Sequence, residues 1–279
     1  IMSTKSGVDA RAGQIVEAEI DYVMANDVTA PIAFREFEAL KREPVRDKIV
    51  LIPDHFVPNK DIASAEQAAE MRRFVKKYNI KNYFEVGRGG VCHQVMVDEG
   101  FAAPGRLIVG ADSHTCTYGG LNAFSTGIGS TEAAACFAEG RLWFKVPESI
   151  KVKITGKFKE YVSGKDLILK IISDIGVDGA NYKAFEFCGE LENVSISDRL
   201  AVSNMAIEAG GKAGIFPCDK LTEDFLKGRV RGEYTPVSPD AGAVYCRELE
   251  YNLDDLDYMV AFPPLPENGR NARDVDVTI

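Results

Sequence analysis

The sequence has no pair of cysteines closer than 20 residues, no excess of positive charge, and only three histidines and one tryptophan among 279 residues. Each shortage excludes something. The cysteines, at 92, 116, 136, 188, 218 and 246, leave no C-x-x-C and no zinc-ribbon spacing, so local pattern shows no metal site. A disulfide framework is not expected in a chain of this length without a secretory signal. Isolated cysteines read as small buried hydrophobes, with Cys92 and Cys116 set apart because each adjoins a polar motif. No apolar run approaches the roughly 18 to 20 residues of a membrane span, and Ile1 to Arg11 carry neither a signal h-region nor a cleavage pattern. The expectation is a cytoplasmic protein with no membrane partner. Lys+Arg 33 against Asp+Glu 42, a net charge of -9, argues against nucleic acid, so an anionic ligand must be held by a local device. Arg72-Arg73 and Lys76-Lys77 then read as a solvated helix face.

What is present is an ordinary globular composition, 46% apolar and 27% charged, enough for two domains with cores of their own. The run Ile49-Val50-Leu51-Ile52 reads as a buried strand ending in a polar loop at Asp54-His55. A helix follows from about Ala65 to Tyr78, capped by Ser64, with Ala68, Met71, Phe74 and Val75 on one face. A strand near 82–85, glycines at 87, 89 and 90, and a strand at Leu107 to Ala111 deliver His93 and then Asp112-Ser113-His114. Glycines 127 and 129 precede a helix with Ser130 as a candidate N-cap, and their N–H groups could meet a carboxylate, although the dinucleotide spacing is lacking. A break at Val146-Pro147-Glu148 puts the boundary near 148, giving domains 1–148 and 149–279. The second carries a helix capped by Ser163, another over about 197–209, a short helix near 222–227, and strands near 243–249 and 258–262. It ends in a Pro-rich stretch, 263–269, that reads as a linker. Alternating strands and helices predict an α/β fold, α/β/α layers around mainly parallel sheets, with a site at the strand ends.

All three histidines lie where such a site would be. His55 and His114 follow strands, His93 follows the glycine turn, and Asp54 and Asp112 adjoin two of them. Carboxylates beside imidazoles fix the tautomer and hold a proton-transfer group near neutrality, as acid–base chemistry requires. The same histidines with carboxylates could instead hold a single zinc ion in a hydrolase, so from residues alone both readings stand. Asn204 and Glu208, four apart on one helix face, read as a solvated pair unless the fold turns them inward.

A resemblance narrows these readings. Gly110-Ala111-Asp112-Ser113-His114-Thr115, followed by Gly127-Ile128-Gly129-Ser130-Thr131-Glu132, resembles the aconitase superfamily, most closely large subunits of the isopropylmalate isomerase and homoaconitase kind. Matching segments run through most of the chain. They include Asn26-Asp27-Val28-Thr29-Ala30-Pro31, Pro53-Asp54-His55, Gly90-Val91-Cys92-His93-Gln94, Leu142-Trp143-Phe144-Lys145-Val146-Pro147, Val177-Asp178-Gly179-Ala180 and Asn204-Met205-Ala206-Ile207-Glu208.

The resemblance implies a hydro-lyase that isomerises a small 2-hydroxy di- or tricarboxylic acid by removing and re-adding water. It implies three catalytic pairs, His55 with Asp54, His93 with Asp112 and His114 with Glu208. The first would protonate the leaving hydroxyl, while Ser113, Asn204, Asp27 and Thr29 would contact substrate. It also implies a [4Fe-4S] cluster on three cysteines, one in a Ser-Cys-Thr-Asn segment and two in a C-x-x-C, and a small subunit carrying a serine base. None of those cysteine segments occurs here, and the sequence reads as stopping just before the cluster-binding domain. Asn26 stands where many relatives carry histidine. The expectation is therefore two α/β domains holding the imidazole half of a divided site, inactive alone, with a homo-oligomer left open. A noncatalytic assembly module is the alternative from another class.

Overall fold

In the computed structural model, which describes residues 1–276, the first sheet is built from five short strands. They are β1 (Tyr22–Asn26), β2 (Ile49–Ile52), β3 (Asn82–Tyr83), β4 (Leu107–Gly110) and β5 (Phe124–Gly127), all parallel in the order β3-β2-β1-β4-β5. Their apolar runs are continuous because both faces are covered. Ile49 and Leu51 face one core, with Phe34, Phe37, Phe74 and Phe137 from α1 (Ala30–Ala39), α2 (Ile62–Tyr78) and α4 (Ser130–Glu139). Val50 and Ile52, one residue out of phase, face a second core containing Met96 of α3 (Cys92–Asp98), Phe101 and Tyr118.

The second sheet comprises β6 (Glu148–Thr155), β7 (Lys183–Gly189), β8 (Ala213–Ile215) and β9 (Arg247–Asn252), again parallel, in the order β8-β7-β6-β9. Ile150, Val152 and Ile154 alternate toward Leu167, Ile168, Ile171 and Ile172 of α5 (Gly164–Ile175) and Val202 of α6 (Ile196–Asn204). The intervening positions face water, where Lys151 pairs with Glu248 and Lys153 with Glu250.

Topology places the site. From β1 the chain builds outward through β2 and β3, then returns to the other side of β1 for β4 and β5. The strand order reverses between β1 and β4, which marks the crevice outside the carboxyl ends where open α/β sheets bind ligands. After β4 the chain tightens into a 3-10 segment, Ser113–Leu121, against which the second unit packs. A Cβ at Gly119 would lie 1.9 Å from the Gly214 carbonyl oxygen, so only glycine permits this approach.

Local departures from the sequence expectations have physical reasons. The helix before Tyr78 starts at Ile62, because Asp61 accepts the Ser64 N–H and the Ser64 hydroxyl accepts the Asp61 N–H, a reciprocal cap. Gly129, not Ser130, caps α4. The expected linker at 263–269 is instead the turn of an antiparallel hairpin, Met259–Ala261 with Gly269–Asn271, anchored where the Val177 N–H donates to Glu267. Residues just beyond α7 (Lys220–Leu226) return to the first unit. The Arg231 N–H donates to the Gly100 carbonyl and Asn122 exchanges two hydrogen bonds with Val237.

Arg199 is the largest fully buried side chain, at 0% exposure. Its guanidinium donates to the carbonyls of Leu191 and Val194 and to both oxygens of Asp219, at 2.5 and 2.8 Å. Breaking a buried pair leaves its acceptors unanswered, so Arg199→Met should cost about 3 to 5 kcal/mol, read from urea unfolding. A loss below about 1 kcal/mol would show that the Asp219 carboxylate and the two carbonyls manage without it.

Candidate active site

Asp112 is the hub of the crevice. It follows β4, its side chain is 12% exposed, and three imidazoles surround it: His93 Nε2 at 3.1 Å, His55 Nε2 at 3.5 Å and His114 Nδ1 at 3.8 Å. The His114 N–H donates to Oδ1 at 2.9 Å, and the Asn26 amide at the end of β1 donates to Oδ2 at 3.2 Å, bridging the switch point. Burial alone would raise the Asp112 pKa. The hydrogen bond and charge of His93, the His114 N–H and the His55 charge outweigh it and hold the carboxyl at about 2.

Each imidazole also has its own partner. His55 Nδ1 lies 2.6 Å from Asp54 Oδ1, and the other Asp54 oxygen accepts the Cys92 N–H at 2.6 Å. The His55 side chain is 41% exposed, with Nε2 on the side of Asp112. Burial pulls its pKa down, but the Asp54 hydrogen bond and the charges of Asp54, Asp112 and Asp27 prevail, and the net shift is upward. His114 Nε2 meets Glu208 Oε1 at 3.2 Å, with Ser113 Oγ 3.2 Å from its Nδ1. Asn204 and Glu208 are not on one regular α-helix, because α6 gives way to a 3-10 segment at Met205–Ala209. Both turn toward the loop after β4: Asn204 donates to Thr117 Oγ1 at 2.8 Å and its carbonyl accepts the Cys116 thiol at 3.2 Å.

Two expected substrate contacts also have structural partners. Asp27 is fully buried, and its carboxylate accepts the backbone N–H groups of Asp54, His55 and Phe56 at 3.0, 2.9 and 2.8 Å. It holds the loop that carries His55, and each of its oxygens is already engaged. The Thr29 hydroxyl donates to the Asn26 side-chain oxygen at 3.0 Å, which fixes the amide that reaches Asp112. The three histidines do not come together as one set of metal ligands among the described residues. The ligand-competent groups among the described residues are Cys92, His93, Asp112 and Asp27, Asp54, His55, with one histidine in each.

Residues 2–276 match the Aconitase family (aconitate hydratase). The chain belongs to the aconitase family. It is 53% identical over 277 residues to the 3-isopropylmalate dehydratase large subunit of Thermoanaerobacter sp. (strain X514), covering 99% of this chain and 66% of that protein. It is 51% identical to the protein of the same name from Halothermothrix orenii, covering 93% of this chain and 63% of the relative, and 47% identical to that of Moorella thermoacetica, covering 99% and 66%. The chain thus spans just under two thirds of these relatives' length. Among solved structures it is similar to Thermococcus kodakaraensis aconitase X, with a TM-score of 0.49 and 10% identity over 86% of this chain and 58% of that one.

The aconitase family implies a [4Fe-4S] cluster, and the cysteines here do not fit one. Cys92, Cys116 and Cys136 are buried, and burial raises all three thiols, Cys116 and Cys136 to about 12. No two of them share a ligand-competent group among the described residues.

Tyr118 is the site residue that sequence reasoning missed. It lies in the 3-10 segment with 0% exposure, its hydroxyl 3.0 Å from His93 Nδ1, so both ring nitrogens of His93 are engaged. With Nε2–H donated to Asp112, Nδ1 accepts from the tyrosine, which fixes the tautomer. Only its position four residues after His114 could have signalled it. Tyr118→Phe should leave the fold intact, lower turnover about tenfold, and alter the ¹⁵N shifts of His93. Unchanged ¹⁵N shifts would mean that Asp112 alone sets the ring.

Proposed function

We propose that this chain is the imidazole-bearing part of a 3-isopropylmalate dehydratase large subunit, a hydro-lyase acting in leucine biosynthesis with a small-subunit partner. The observation that carries this reading is the convergence of three imidazole–carboxylate pairs on one topological switch point. About half identity to large subunits of that name supports the choice of substrate.

Removing hydroxide from a carbon next to carboxylates needs a proton donor for the leaving oxygen and a fixed electrostatic frame for the rest of the substrate. His55 is the donor in this reading. Its Nδ1–H is held by Asp54, its raised pKa keeps it protonated further toward neutral pH, and its partly exposed ring presents Nε2–H beside Asp112. Asp112 orients His93 directly and gathers the other two rings around it. The His114–Glu208 pair and Ser113 would meet the substrate beside it, and Asn204 lines the cavity next to His93. The cluster and the base of the complete enzyme lie, in this proposal, in the remaining third of the relatives' length and in the small subunit.

The test is turnover of 3-isopropylmalate by the full-length large subunit with its small subunit, followed through ultraviolet absorbance of the unsaturated dehydration product. Conversion supports the reading. Its absence with an intact complex, or preference for a homoaconitate-type substrate, overturns it.

A further inference from the structure

The crevice poses an electrostatic problem. Asp54, Asp112 and Glu208 surround the histidines and Glu132 lies nearby, so a dianionic substrate enters a field of its own sign. We propose that Lys212 supplies the balancing cation and receives one carboxylate of the hydroxydicarboxylate substrate. This deepens the dehydratase reading and rests on it.

The placement of Lys212 supports this role. A groove of about 320 Å³ runs from Asp112 and Ser113 past Gly127 and Gly129 to Glu132 and Lys212, and Lys212 is its one cationic lining residue. The groove exists because the turn after β5 lies against the loop after β4: a Cβ on Gly127 would come 2.7 Å from the Asp112 carbonyl oxygen. The cavity beside His93 and Asn204 has no cationic lining residue.

The lysine is held in place yet free to pair. Its backbone N–H donates to the Lys183 carbonyl at 2.7 Å, and its ammonium lies 5.1 Å from the centre of the Tyr182 ring. Among the described residues, no carboxylate lies within 4.0 Å of it. The two carboxylates that line the groove with it are already engaged: Asp112 with His93 and the His114 N–H, and Glu132 with capping, one of its oxygens accepting the Gly129 N–H at 2.7 Å. Lys212 also follows Glu208 by one tight turn through Gly210, at φ +81°. The chain segment that presents the carboxylate partner of His114 therefore presents the cation too. Ser113 Oγ, on the same groove, offers a second polar contact to the bound carboxylate.

The test compares wild type, Lys212→Met and Lys212→Arg in the assembled two-subunit enzyme. Charge-assisted hydrogen bonds of this kind correspond to roughly 10- to 100-fold in binding. Lys212→Met should therefore raise KM for 3-isopropylmalate by about that factor with kcat within about threefold, and arginine should restore most of the loss. Calorimetric titration with malate and its two monoamides gives a readout that does not need turnover. Malate should bind more weakly to the methionine variant, whereas the monoamide lacking the paired carboxylate should bind both proteins alike. Unchanged KM and malate affinity in Lys212→Met overturn the inference even if the wild type turns over, and so does failure of the variant to join the small subunit. Weaker malate binding by Lys212→Met than by a wild type that does not convert 3-isopropylmalate would retain the inference and reject the dehydratase reading.

Discussion

His55→Ala in the assembled enzyme should reduce kcat by about 10³-fold while KM stays within a few-fold. The asymmetry follows from where the ring's interactions lie. Nδ1 is committed to Asp54 at 2.6 Å and the Asp27 carboxylate clamps the surrounding backbone, so removing the ring leaves the shape of the loop intact and takes away only the proton. The pH profile carries a second signature. A group that must donate a proton is active below its folded pKa, and that pKa lies above the ordinary imidazole value because Asp54, Asp112 and Asp27 outweigh burial. The rate of the wild type should therefore fall on the basic side, at a pH above 6.5, and His55→Ala should abolish that limb without moving the acidic one. An alanine variant that kept both limbs and more than a tenth of the turnover would remove His55 from the role of acid.

Much of the architecture was legible because it rests on periodicity. Ile49 to Ile52 and Leu107 to Gly110 are apolar on both faces, which in an α/β chain means a central parallel strand, and the polar residues after them mark the strand ends. The motif Asp112-Ser113-His114 was visible for the same reason, standing where an apolar strand meets a polar loop. What escaped depends on long-range geometry. No local pattern says that a tyrosine in a glycine-flanked loop reaches back to His93 across 25 residues. The inward turn of Asn204 and Glu208 depends on the second unit packing against Ser113–Leu121, contacts separated by 87 and 94 residues. The stretch at 263–269 looked like a linker because prolines and polar residues suit linkers and tight turns alike. The strands it joins, Met259–Ala261 and Gly269–Asn271, are only three residues long each.

Asp27 is where sequence and structure part most clearly, and the two roles make opposite predictions. A substrate contact, once removed, weakens binding and leaves the protein otherwise sound. A carboxylate that accepts three backbone N–H groups at 2.8 to 3.0 Å acts on the loop itself. Asp27→Ala removes the buried acceptor of all three part-buried donors. At about 1 kcal/mol or more for each orphaned donor, the loss should be about 3 kcal/mol, roughly 6 to 12 °C in Tm for a chain of this size. Turnover should fall about 100-fold, because His55 and Asp54 lose the frame that aims Nε2 into the crevice, and KM should change little by comparison. Asp27→Asn offers a finer test. Its remaining oxygen can still accept the Asp54 and His55 N–H groups, while its NH₂ would confront the Phe56 N–H, so both losses should fall between wild type and alanine. A raised KM with unchanged kcat and Tm in Asp27→Ala would return the residue to the substrate. A paired loss of turnover and stability, graded from asparagine to alanine, assigns it to the loop.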